Sequence, residues 1–294
     1  MAAPTTRLTD IDRELDRARR DGPLRDIIIP PCPQLLLELQ AEVQTGDPDP
    51  AEIARIAGAD VAMAAALLHM SNSSLYARSR QPRTVAQAVA MLGVAPTVTA
   101  LTRFLLRHTI AVNSPLLEHF WETSTRRALA MGYIARQLYE VDPEQAHLCG
   151  LFCHVGIPVM MQGVRGYAST LVEALARQDR SFTETENAAH KTDHAVVGAI
   201  VARTWHLPAG IAAAIRLHHD FSVLPDQTIA AEVRTLVAVS AVAEHLVGLF
   251  EQVQQQREWA QHGEACLRML QIGHAELEHW LDALHPAFDK VVAA

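Results

Sequence analysis

"TENAAHKTDHAVVGAIVARTWHLPAGIAAAIRLHH", residues 185–219, combines long apolar runs at helical spacing with histidines at chemically suggestive places. Apolar residues recur at i, i+3 and i+4 with no strict alternation, which predicts helix and excludes a half-buried strand. The helix is read as running from about residue 183 to 205, with Thr183 and Glu186 as the pair of a capping box. Pro208 then opens a second helix at a first-turn position, and that helix closes on His218-His219. On this reading His190 and His194 share one helix face, the spacing that lets two imidazoles reach one ion. Adjacent His218 and His219 diverge by about 100°, so one of them at most is expected to face a common site.

The flanking sequence keeps the same grammar. "PEQAHLCGLFCHVGIPVMMQ", residues 143–162, reads as one helix, and Gly93 closes "TVAQAVAMLG" as a helix C-cap. Hydrophobic residues make up 49% of the chain and charged residues 20%, so the sequence is that of a folded globular protein with a sizeable core. No repeat and no strand pattern stands out, and the expected fold class is all-α. Four segments are expected: a polar lead-in helix (1–26), an N-terminal helical subdomain (27–110), a helical core (111–250) and a C-terminal helical extension (251–294). The first residues are charged and carry no apolar leader, and no apolar run is long enough to suggest a bilayer span, so a cytoplasmic location is expected. The four cysteines (Cys32, Cys149, Cys153, Cys266) form no CxxC pair and read as reduced, mostly buried thiols. Net charge is −8, yet residues 61–117 contain no acid while holding Arg78, Arg80, Arg83, Arg103 and Arg107. Such a stretch could attract an acidic partner or a phosphate. There is no glycine-rich phosphate loop, GxSxG or HExxH.

Taken in order, the motifs resemble the HDOD family, the HD-related output domain of bacterial signalling proteins. The resemblance spans 29–220. It rests on "IIIPPCPQLLLEL", on the helix ending in Asn72-Ser73, on "TVAQAVAMLG", and on Glu186, Asp193-His194, Gly198, Trp205, Leu207-Pro208 and His218-His219. It implies an all-helical fold in which a small N-terminal bundle accompanies an HD-like core. Catalytic HD phosphohydrolases use an early histidine, a His-Asp pair, further histidines and a late aspartate. Here those positions correspond to Thr123, His154-Val155 and Ala241, leaving His154, His194, His218 and His219. Carboxylates neutralise and bridge the ions of such a site, and Val155 and Ala241 offer no lone pair. No Gly-Tyr-Pro follows His218-His219, which argues against a cyclic-dinucleotide phosphodiesterase.

The expectation is therefore a non-catalytic signal-transduction module with no metal and no cofactor. Its degenerate cleft would be built from His154, His194, His218, His219, Glu186 and Asp193 and would bind a protein partner or a small ligand. Asn72, Ser73, Arg78, Arg80 and Arg83 are further candidate contacts, although Asn72 and Ser73 also suit a plain helix end. One alternative is a residual metal-dependent phosphohydrolase drawing on Asp193, Asp220 or Glu186 as its acid. Another is a nucleotide- or nucleic-acid-binding regulator using 61–117, with nucleic acid disfavoured by the overall acidity. No receiver or cyclase segment is recognised, so input and output are expected from separate proteins. Self-association through 251–294 is a further option, with packing onto the main body as its competitor.

Overall fold

The computed structural model describes residues 5–21, 23–72, 82–138, 141–177, 179–253 and 256–291. Among them every regular element is helical and no strand occurs. The chain divides into two units, residues 30–111 and residues 1–29 with 112–294. The first helix, α1 (Thr5–Asp21), belongs to the second of these.

The 30–111 unit holds α2 (Gln34–Val43), α3 (Pro50–Gly58), α4 (Val61–Ser71), α5 (Val85–Leu92) and α6 (Val94–Thr109). Asp49, Asp60 and Thr84 each cap a helix by accepting a backbone N–H, which satisfies donors that would otherwise be orphaned. Gly93 ends α5 at φ 86°, a left-handed conformation that glycine adopts without strain, and α6 begins directly after it. Ile53, Ile56, Met63, Leu67, Leu101 and Leu106 form this unit's own core.

The larger unit is built from α7 (Phe120–Gln137), α8 (Pro143–Phe152), α9 (Gly156–Gly163), α10 (Tyr167–Ala176), α11 (Phe182–His190), α12 (His194–Thr204), α13 (Ala209–Leu217), α14 (Ala231–Phe250), α15 (Arg257–Leu270) and α16 (His274–Phe288). Two helices are its axis. In α12 the residues from His194 through Ala202 are all buried. The second, α14, is long and apolar enough to cross a membrane, but 72% of its most apolar 18-residue stretch is buried inside the protein, as in a core helix. Lead-in helix α1 docks by Leu15, which is fully buried, while Arg203 bonds Asp16 at 2.7 Å and Arg216 bonds Glu14 at 2.6 Å.

Several local expectations need correction. Residues 143–162 form two helices, because the chain turns at Cys153–Val155 and restarts at Gly156. There α9 crosses α12 so closely that a Cβ on Gly156 would lie 2.0 Å from the His194 carbonyl oxygen. The capping box of α11 is Ser181 with Glu184, which frees Glu186 for the interior. The described part of the extension takes the competing course already weighed against self-association, packing onto the main body: Arg126 donates to the Phe288 and Val291 carbonyls, and Leu277, Trp280 and Phe288 are buried.

Candidate functional site: a four-histidine cleft

Each histidine is delivered by a break in a helix. His154 lies in the turn between α8 and α9, and His194 is the first residue of α12. Asp193 is the N-cap of α12, accepting the Val196 N–H at 2.9 Å and the Asn187 amide at 2.6 Å, so it anchors His194 but does not enter the cleft. His218 caps the end of α13, and His219 follows as the chain leaves the helix. The four side chains form one cluster whose donor atoms all lie within 4.8 Å of one another.

Two sequence expectations fail here. His190 and His194 do not share a helix, because Lys191 at φ 58° ends α11 in the left-handed region. His190 instead bonds Thr170 at 2.8 Å. His218 and His219 both face the cluster, with ring centroids 4.0 Å apart. The 100° rule applies within a helix, and α13 stops at Leu217.

The second layer fixes the rings. Glu186, fully buried, accepts His194 Nδ1–H at 2.7 Å and the His194 backbone N–H at 3.2 Å, and also the Tyr167 hydroxyl. His218 Nδ1 donates to the Ile215 carbonyl at 2.7 Å, and His219 Nδ1 donates to Glu258 at 2.7 Å. That leaves three Nε2 atoms turned to the cluster: His194 and His219 share a hydrogen bond of 3.1 Å, and buried His218 Nε2 has no partner. His154 Nε2 bonds Glu244 Oε1. Arg127 Nε lies 2.8 Å from the same oxygen, an ion pair off the ideal hydrogen-bond line, and Arg127 Nη1 is without a partner.

Burial, then the Arg127 charge, pushes His154 down to about 3 against the pull of Glu244, so it is neutral. Burial and the neighbouring imidazoles hold His218 far below its usual value. Burial would lower His219 as well, but Glu258 overcomes it and lifts the ring to about 9. Glu244 is a firm carboxylate: burial raises it, and His154 with Arg127 pull it down further. Burial followed by Glu186 drives the Tyr167 phenol well above its ordinary range.

His154, His218 and His219 form the floor of a cavity of about 500 Å³, a size suited to a small molecule, with His194 fully buried behind them. Thr123, Ala241 and Arg127 line it, and Gln256, Arg257, Glu258 and Trp259 show that the C-terminal extension supplies one wall. Thr123 donates its hydroxyl to Glu251 at 2.9 Å, and Val155 is fully buried beside the turn. Asp220 binds Ser222 in a surface turn. Asn72 donates to the Leu68 and Pro82 carbonyls, the role of a helix end, and Arg83 is exposed. Ser73, Arg78 and Arg80 lie outside the described residues.

Sequence reasoning missed Glu244, Glu258, Arg127 and Tyr167. A signal existed for Glu244, the one acid within the apolar run "LVAVSAVAEHL" (236–246), one helical turn beyond Ala241. The donor set suits a metal of the kind the HD relationship implies. Four convergent imidazoles, one of them bonded to the Glu244 carboxylate, favour a borderline transition ion, and three of the rings have the Nδ1 anchoring typical of ligating histidines. Among the described residues, the other carboxylates at these rings, Glu186 and Glu258, are bonded to Nδ1 atoms on the far side from the Nε2 cluster.

A helical core with histidines gathered between its helix ends is the architecture of an HD-related domain. The chain belongs to the HDOD family: the HDOD domain model matches residues 29–221. An HDOD domain protein of unknown function from Geobacter sulfurreducens has a similar fold, at 22% identity and TM-score 0.70, with 99% of each chain covered. So has a Shewanella amazonensis protein provisionally described as a phosphohydrolase, at 18% identity and TM-score 0.71 over 96% of each chain. An uncharacterized protein of Treponema pallidum is 24% identical over 204 residues, 68% of this chain. The match spans 39% of that relative's length.

Proposed function

We propose that this chain is a non-hydrolysing regulatory module of bacterial signal transduction, working by occupancy of its histidine cleft and by engagement of a protein partner in the cytoplasm. The observation that carries the reading is the state of three positions. Thr123 commits its hydroxyl to Glu251, Val155 contributes only packing, and Ala241 presents a methyl group to the cavity. Hydrolysis in a two-ion site needs carboxylates that hold both ions and orient the attacking water. None of these residues supplies one. What remains is a preformed pocket with a polar floor, suited to binding a ligand and passing on a change in packing.

A metal-dependent phosphohydrolase is the second reading, and one observation favours it: Glu244, one helical turn from Ala241, brings a carboxylate to His154. The discriminating assay is phosphate release from nucleotides, phosphomonoesters and cyclic dinucleotides by the full chain with Zn²⁺, Mn²⁺ or Mg²⁺ added. The regulatory reading expects no release above that of the His194→Ala variant. Enzyme-like turnover that disappears in that variant would establish the hydrolase and end the regulatory reading.

A further inference from the structure

The inner end of the cleft holds an arrangement that packing does not explain. Four buried or nearly buried imidazoles converge, and His218 Nε2 points among them with neither a protein partner nor solvent. An unpaired buried polar atom costs about 1–3 kcal/mol, so a group of this kind calls for a ligand. Beside it, Glu244 presents Oε1 to His154 while held by Arg127.

We infer that this is a site for one borderline divalent transition-metal ion, held by His154, His194, His218 and His219, with Glu244 as its carboxylate ligand. The donor chemistry selects the class, since imidazole with a single carboxylate suits Zn²⁺, Co²⁺ or Ni²⁺ better than Mg²⁺ or Ca²⁺. The spacing agrees: adjacent ligands bound at about 2.0–2.1 Å to one five-coordinate ion lie roughly 3–3.5 Å apart. The His194 and His219 Nε2 atoms are already 3.1 Å apart, and an ion replaces the hydrogen they share. Arg127 is the counter-ion that keeps Glu244 oriented in the metal-free protein. The inference rests on the cleft-occupancy reading and names its occupant. A single ion without a bridging carboxylate makes the site one that senses or stabilises.

The test uses the full chain prepared without a polyhistidine tag, stripped with chelator, and titrated with Zn²⁺ by calorimetry and with Co²⁺ by visible absorption. One equivalent of either metal should bind and raise the Tm. His218→Ala should weaken binding by at least ~10-fold, and Glu244→Gln should weaken it by about 10–100-fold and alter the Co²⁺ spectrum. Glu244→Asp, which keeps the charge, should recover part of both, and circular dichroism certifies that each variant is folded. Failure of the folded wild type to take up stoichiometric metal would overturn the inference while leaving the non-hydrolysing reading intact. Uptake that Glu244→Gln leaves unchanged in affinity and spectrum would remove Glu244 from the site. Phosphate release by the metal-loaded protein would instead sink the regulatory reading and spare the metal site.

Discussion

Glu244 shows how one residue sets the character of the cleft. Its carboxylate is the meeting point of His154 and Arg127, and its side chain is 34% exposed to the cavity while that of Arg127 is 9% exposed. Breaking a fully buried pair costs about 3–5 kcal/mol, and the partial opening of Glu244 reduces this. Arg127→Met should therefore lower stability by about 2 kcal/mol in urea denaturation; an unchanged midpoint would show that the pair contributes nothing. The thiols give a second test at this scale. Burial raises Cys32 to about 11 and Cys266 to about 12, and the hydrogen bond with Cys153, followed by burial, places Cys149 well above the ordinary value. Thiolate is the reacting form, so at pH 8 a thiol of pKa 11 is ionised to only about one part in a thousand. Native protein should be labelled slowly by a disulfide reagent, half-buried Cys32 first, and fast labelling of Cys149 would contradict the buried placement.

At the scale of elements, the cleft depends on helices meeting at close range. The α9–α12 crossing leaves no room at Gly156, where an added Cβ would sit 2.0 Å from a backbone oxygen and 2.8 Å from the Gly198 nitrogen. Backbone cannot yield as a flexible side chain can, so Gly156→Ala should cost about 3 kcal/mol, the upper part of the overpacking range. It should also separate His154 from His194. Gly166→Ala, at φ 81° in open space, carries only backbone strain and should cost less. The docking of α1 invites a comparison. Leu15 is fully buried, whereas Asp16 and Glu14 meet their arginines at the surface. Leu15→Ala should cost about 2–4 kcal/mol, and Asp16→Ala about 0.5 kcal/mol or less, read as shifts in the urea midpoint. The reverse order would mean that charge fastens this helix.

For the whole molecule, the helical class and the family were legible because both rest on spacing and motif order, which a chain displays directly. The histidines were legible as a set for the same reason. Their relations were not, because each relation depends on where a helix stops. A left-handed Lys191 separates His190 from His194, and the end of α13 at Leu217 lets two adjacent histidines face one point. Glu258 was invisible because the C-terminal extension was read as a separate segment, while the fold returns it to bond His219. Arg126 ties this return down, bonding Glu251 at 2.8 Å as well as the Phe288 carbonyl at the end of α16 and the Val291 carbonyl beyond it. The central claim is that the hydrolytic site is absent from the scaffold, not one substitution away. Its most direct measurement is phosphate release by metal-loaded wild type beside the Val155→Asp variant. Position 155 is fully buried, so an aspartate there meets a desolvation cost of several kcal/mol and has no ion within a ready-made carboxylate cage. The account expects no turnover from either protein and a lower Tm for Val155→Asp; a folded variant that hydrolyses phosphoesters would contradict it.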